Sequence, residues 1–145
     1  MTLPTEAARP FWPPGIPHTL PPADATLWQC LERAAAAHAD KPAVVFYDSV
    51  LHYGDLAAQA ERLAGFLQQR LGVQQGDRVL LLSQNCPQFP TAFYAVQRAD
   101  AVVVPANAMS TVDDLAHLLA DSGAQVAFPA QELLPRLQPF LDDGR

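Results

Sequence analysis

Lysine, cysteine and glycine are scarce in this chain of 145 residues, and each scarcity excludes a class of site. Lys41 is the single lysine, and the nine cations form no basic cluster in a chain of net charge −6, so we expect no nucleic-acid partner. The seven glycines contain neither GxGxxG nor GxxxxGK[ST], which excludes a classical dinucleotide site or P-loop. No run approaches the roughly 18 apolar residues of a membrane-spanning helix. The first residues also lack the pattern of a secretory signal.

The two cysteines and four histidines show no spacing typical of a metal or redox motif. We predict that Cys30 and Cys86 are buried small apolar residues. Unpaired thiols fit a reducing compartment, so we expect a cytoplasmic protein. We predict structural or solvent-exposed roles for the histidines, which are His18, His38, His52 and His117.

Proline, in contrast, is abundant, and half of the 14 prolines lie within residues 1–22. Because proline has no N–H and a fixed φ, this segment cannot form a helix or a central strand. We predict an extended arm over residues 1–22, followed by one folded unit over residues 23–145. Phe11, Trp12 and Ile16 are apolar enough to lay the arm against that unit.

Between residues 26 and 71 the hydrophobic pattern predicts two helices separated by a β-hairpin. The first helix begins with the capping-box spacing of Thr26 and Gln29 and ends near Ala39. Two short β-rich runs then predict a hairpin near residues 43–53. Apolar residues at helical spacing predict the second helix, with one face formed by Leu56, Ala60, Leu63, Ala64, Leu67 and Leu71.

From residue 78 onwards, strands and helices alternate. Continuous apolar runs predict buried strands near 78–82, 101–104 and 125–128, the last stopped by Pro129. Helices follow each strand, and the last of them holds Leu133, Leu134, Leu137 and Leu141. Right-handed crossovers between such strands give a parallel sheet. We therefore predict an α/β fold: a partial doubly wound parallel sheet with flanking helices and an N-terminal β-hairpin.

Ligands of doubly wound sheets bind at the carboxyl ends of the strands. Here those ends are residues 83–87, 105–109 and 129–131, and none is rich in glycine. Asp113 and Asp114 are explained by the start of a helix, where acidic side chains are favourable. From these residues we assign no catalytic, cofactor-binding or metal-binding position.

Six segments between Trp12 and Phe128 carry a family resemblance. They are DKPAVVF (40–46), LHYGDL (51–56), GVQQGDRV (72–79), NCPQF (85–89), RADAVVVPAN (98–107) and DSGA (121–124). Their order and spacing resemble those of segments in the N-terminal part of the adenylate-forming acyl-CoA synthetases, the AMP-binding superfamily. They look most similar to long-chain or medium-chain fatty acyl-CoA ligases. Asp100 departs from the family, which usually has glycine there. Proline is usual where Ala108 stands, and an aliphatic residue where Pro90 stands.

The resemblance implies a parent enzyme that activates a carboxylate with ATP to an acyl-adenylate and transfers it to coenzyme A. It also implies ATP, Mg²⁺ and coenzyme A as the parent's cofactors, fatty acid as its substrate, and the rest of the ligase as the partner of this chain. The family's catalytic motifs lie beyond the matched segments. We therefore carry no catalytic residue over and expect no cofactor on this chain.

Three hypotheses follow. The first is an N-terminal fragment of such a ligase, inactive alone, which could self-associate through a sheet edge exposed by truncation. The second is a free-standing, non-catalytic α/β interaction module. The third is an unrelated flavodoxin-like response or cofactor domain.

Overall fold

The computed structural model describes residue 13, residues 15–17 and residues 22–141, so most of the predicted arm lies outside the described residues. The mixed α/β fold confirms the predicted fold class and order of elements. A short 3₁₀ helix, Gln131–Leu133, precedes the last α-helix. In chain order the elements are α1 (Leu27–His38), β1 (Pro42–Phe46), β2 (Ser49–His52), α2 (Tyr53–Gln69), β3 (Arg78–Leu82), α3 (Gln88–Arg98), β4 (Val102–Ala106), α4 (Val112–Ser122), β5 (Val126–Pro129) and α5 (Leu134–Leu141).

Strand β3 is the centre of a parallel three-stranded sheet with the order β4-β3-β5. Its residues 79–82 are all fully buried. The side chains alternate between two cores, as the period of a strand requires. Val79 and Leu81 pack in a core built with α2 and α3, whereas Leu80 and Leu82 pack against Leu115 of α4 and Leu137 of α5.

The prediction that the two outer strands are also buried is wrong. Val102 of β4 is 47% exposed, and β5 is only half-buried along its length. Each of these strands has a paired neighbour on one side only within the described part of the sheet. Pro129 does not stop the strand at residue 128, as predicted, because it is itself the last residue of β5 and pairs with Leu82.

Prolines face outwards on both edges of this sheet. The N–H of Val102 donates to the carbonyl of Asp77 at 2.7 Å and therefore faces β3. Because the backbone groups of successive residues in a strand face opposite sides, the nitrogen of Pro105 faces away from β3. The N–H of Ala130 donates to the carbonyl of Leu82 at 2.8 Å, so the nitrogen of the preceding Pro129 also faces away from β3. A proline at such a position costs no ladder hydrogen bond, which explains how two edge strands accommodate it.

The predicted hairpin is confirmed as a separate two-stranded antiparallel sheet. Strand β1 pairs with β2 from Phe46 opposite Ser49 to Pro42 opposite His52. Tyr47 forms the tip with a positive φ of 50° and is almost fully exposed. The hairpin contacts α2 and does not extend the parallel sheet.

Capping boxes begin two helices. As predicted, the hydroxyl of Thr26 accepts the N–H of Gln29, and the side chain of Gln29 accepts the N–H of Thr26. Thr111 and Asp114 repeat the arrangement at α4. The backbone N–H and then the hydroxyl of Thr111 donate to Asp114, and these hydrogen bonds hold the pKa of that carboxyl below its usual range.

Arg98 joins the first three helices. Its guanidinium lies 5.5 Å from the centre of the Trp28 ring of α1. The same group reaches the carboxylate of Glu61 on α2 at 3.4 Å. Trp28 therefore packs towards the body. Trp12, which was predicted to help lay the arm against the folded unit, lies outside the described residues.

The predicted burial of both cysteines is wrong. Cys30 is exposed and Cys86 is half-buried. Cys30 faces solvent because α1 lies at the periphery and buries only Leu31. Several leucines assigned to helices in the sequence are also exposed, because they lie at or near helix ends. Four of them are 42–54% exposed: Leu27, Leu71, Leu134 and Leu141.

Helix α3 ends in a Schellman motif centred on Asp100. The N–H of Ala101 donates to Val96 and the N–H of Asp100 donates to Gln97, at 3.1 and 3.2 Å. Asp100 follows the C-cap Ala99 with a φ of 56°. This is the position where the resembled family usually has glycine, and glycine adopts such a φ without steric cost.

We expect Asp100→Gly to raise the free energy of unfolding by about 0.5–1 kcal/mol, because relief of left-handed strain exceeds the added chain entropy of glycine. The measurement is urea denaturation followed by circular dichroism. Asp121→Gly, in the last turn of α4, is the matched control and should not stabilise the protein, because its backbone is already right-handed. Equal effects of the two variants would contradict this explanation.

Candidate functional site at the carboxyl edge of the sheet

A groove of about 880 Å³ opens at the carboxyl ends of β3 and β5. The hairpin, helix α2 and the N-terminus of α3 form its other walls. Its apolar lining includes Phe46, Leu51, Leu63, Phe89 and Phe128, all of them half-buried. Its polar lining consists mainly of hydroxyl and amide side chains, including Ser83, Gln84, Asn85, Gln88, Thr91 and Gln131.

The groove carries almost no charge. Among the described residues that line it there is no lysine, arginine or histidine, and Glu132 is the one carboxylate. Phosphate and carboxylate ligands are normally held by cations, metal ions or several convergent N–H groups. No group of acidic, histidine or cysteine side chains suited to a metal ion occurs within the described residues. The lining therefore does not fit a nucleotide phosphate.

The N-terminus of α3 offers the groove few backbone donors. The N–H of Phe89 already donates to the carbonyl of Cys86 at 3.0 Å, and Pro90 has no N–H. Of the first three helical residues, only Gln88 is left as a backbone donor. An anion site at a helix N-terminus needs several such donors. Pro90, which departs from the resembled family, thus weakens this helix end as an anion site.

Ser83 and Cys86 are the two side chains of the groove with nucleophilic atoms close together. The hydroxyl of Ser83 donates to the carbonyl of Gln84 at 3.0 Å and lies 3.4 Å from the sulfur of Cys86. Activation of either nucleophile requires an adjacent general base. His52 is paired with Asp55 at 3.8 Å and does not line the groove.

The loop after β4 lies apart from the groove and is held by Arg136 of α5. The guanidinium of Arg136 donates to the carbonyls of Ala108 and Ser110 at 2.7 and 2.9 Å. Asn107 adds a local turn, since its side chain accepts the N–H of Met109 at 2.8 Å. These contacts fix the loop against α5.

The structure therefore brings together two of the three predicted strand ends. Residues 83–87 and 129–131 line the groove, whereas residues 105–109 do not. Of the other residues weighed from sequence, His38 and His117 are exposed and lie outside the groove lining, and His18 is outside the described residues. The hairpin and α2 walls were not anticipated, because no sequence pattern links Phe46 or Leu63 to the ends of distant strands.

Comparison with known proteins identifies relatives over most of the chain. The family model described as "AMP-binding enzyme" matches residues 31–144. The long-chain-fatty-acid–CoA ligase of Bacillus subtilis is 38% identical over 125 residues, which are 86% of this chain and 22% of that ligase. The ligase of the same name from Yersinia pestis is 38% identical over 114 residues, 78% of this chain and 20% of its own. The chain thus spans about a fifth of the length of these relatives.

A solved structure agrees with the sequence matches. The N-terminal domain of FACL13 from Mycobacterium tuberculosis superposes with a TM-score of 0.74 and 29% sequence identity. The match covers 79% of this chain and 30% of that domain. The fold and the resemblance found in the sequence are both confirmed.

We expect Arg136→Met to destabilise the protein by about 1.5–3 kcal/mol, because two carbonyls lose a charged donor. Amide hydrogen exchange should become faster in residues 107–111, and urea denaturation should give the free energy. Arg33→Met is the control, since among the described residues Arg33 makes only an exposed ion pair with Asp24 at 3.8 Å, and its loss should cost at most about 1 kcal/mol. Unchanged exchange in the loop would show that Arg136 does not hold it.

Proposed function

This chain belongs to the family of AMP-binding enzymes, and from that premise we propose that it is the N-terminal part of a fatty acid–CoA ligase. The observation that carries the proposal is its 38% identity over 125 residues to a long-chain-fatty-acid–CoA ligase. The structural match to an N-terminal domain supports it. Within the proposal, residues 1–22 are an extended arm and residues 23–145 are one subdomain.

The proposed reaction of the whole ligase has two steps. The carboxylate of a fatty acid attacks the α-phosphate of ATP and forms an acyl-adenylate with release of pyrophosphate. The thiol of coenzyme A then attacks the acyl carbon and displaces AMP. Both steps concentrate negative charge and require Mg²⁺ and cationic or N–H donors.

We assign those charged groups to parts of the ligase other than this chain. Among the described residues, the groove lining has no cation and few free N–H donors, so it offers the phosphates of ATP and coenzyme A no counter-charge. We therefore propose that the chain by itself is inactive and that its role is to support the catalytic parts. We also propose a cytoplasmic location, where ATP and coenzyme A are available. Among the described helices, none is long and apolar enough to cross a membrane.

The test is an ATP–pyrophosphate exchange assay with fatty acids of several lengths. The protein encoded by the complete reading frame should exchange pyrophosphate in a fatty-acid-dependent manner, and the 145-residue chain should not. Exchange by the chain alone would refute the proposed inactivity. A complete reading frame without exchange activity, or one that encodes no more than this chain, would favour the alternative of a non-catalytic interaction module, to which an open groove is also suited.

We further propose that the isolated chain self-associates weakly through a sheet edge. The outward prolines leave Val103 and Ala127 as the outward N–H donors of β4 and β5, so any added strand would pair over a short length. Sedimentation velocity at rising concentration should show a reversible increase in mean mass. A single monomeric species at high concentration would contradict this proposal.

A further inference from the structure

The lining of the groove at the carboxyl edge is typical of a surface that another protein segment covers. Its aromatic and aliphatic walls from β1, α2, α3 and β5 are only half-buried. Phe46, Leu63 and Phe128 face the same opening from three different elements. Contiguous exposed apolar surface of this kind marks binding or interaction sites.

The charge of the groove argues against its being a fatty acid or nucleotide site. A fatty acid, ATP and coenzyme A all carry anionic groups, and burial of an anion without a partner is costly. In the part of the chain that the structure describes, the groove presents Glu132 and no cation, so an anionic end would meet repulsion and no counter-charge. An occupant with apolar side chains and neutral or cationic polar groups fits better.

From this lining we propose that the groove is the docking surface for a protein segment of the same ligase. The segment would insert apolar side chains between Phe46 and Phe128 and use amide or cationic donors opposite Gln131 and Glu132. This inference rests on the proposed function. The chain spans only about a fifth of its relatives, so most of such a ligase lies outside it and is available to supply the segment.

The two cysteines of the sequence provide a probe with a built-in control. Cys86 lines the groove, whereas Cys30 is exposed on α1 and is not part of the lining. A segment seated in the groove would therefore shield Cys86 and leave Cys30 accessible.

The experiment is alkylation by N-ethylmaleimide, with the rate at each cysteine followed by peptide mass spectrometry. The ratio of the Cys86 rate to the Cys30 rate is measured in the 145-residue chain and in the complete ligase. We expect this ratio to fall about tenfold or more in the complete ligase, as for groups that react only after local opening. An unchanged ratio in a ligase that is active in pyrophosphate exchange would overturn the docking surface while leaving the proposed function intact. Absence of exchange activity would count against the proposed function itself.

A blocking variant tests the same surface independently. Gln84 is exposed and lines the groove, so Gln84→Trp should obstruct docking and raise the Cys86 to Cys30 ratio in the complete ligase about tenfold. Gln68→Trp, on exposed α2 surface that does not line the groove, should leave the ratio unchanged. Equal effects of the two variants would overturn the proposal.

Two further measurements on the 145-residue chain test whether the groove instead binds a fatty acid or a second copy of the chain. Addition of fatty acid should leave the Cys86 rate unchanged, and protection by fatty acid would instead identify a ligand pocket. Raising the concentration of the chain should also leave the rate unchanged, and protection would identify a second copy as the occupant. Either result would overturn the assignment to a segment of the ligase.

Discussion

Strand β3 must satisfy apolar contacts on both faces and hydrogen bonds on both edges, and β4, β5 and helices α2 to α5 are arranged around that requirement. Residues 79–82 are 0–1% exposed. Their alternation places one pair of side chains in the core with α2 and α3 and the other pair in the core with α4 and α5. Without neighbours on both sides, such a strand would expose its apolar side chains and leave backbone groups unpaired. This explains why β3 lies at the centre of the sheet.

The segments that carry the family resemblance serve this arrangement directly. The N–H of Gly76 donates to the carbonyl of Asp100 at 2.9 Å, and the N–H of Val102 donates to Asp77. The carboxylate of Asp77 also accepts the N–H of Gln74 at 2.8 Å and closes its own turn. Two matched segments, 72–79 and 98–107, are thus joined by hydrogen bonds where β3 and β4 begin. Their hydrogen bonds set the register of the two strands, which gives these matched segments a structural role.

The carboxyl edge of the same sheet carries a different set of polar groups, most of them hydroxyl and amide side chains. Two of its hydroxyl groups bond within the chain, that of Ser83 to the carbonyl of Gln84 and that of Thr91 to the carbonyl of Pro87. Among the described residues, the groove that they line has apolar walls and one carboxylate. This lining favours contact with protein, which is consistent with the proposed roles of structural support and docking.

Local patterns of period, turn and cap predicted the type and order of the elements, the capping box of α1 and the family. Which apolar residues are covered depends instead on contacts between elements that are distant in the chain. Cys30 and Cys86 look equivalent in sequence, yet one lies on a peripheral helix and the other in the groove. Arg136 likewise follows no motif, and its bonds to Ala108 and Ser110 exist because α5 returns beside the loop after β4. Such contacts join residues far apart in the chain, and their partners are chosen by packing around β3.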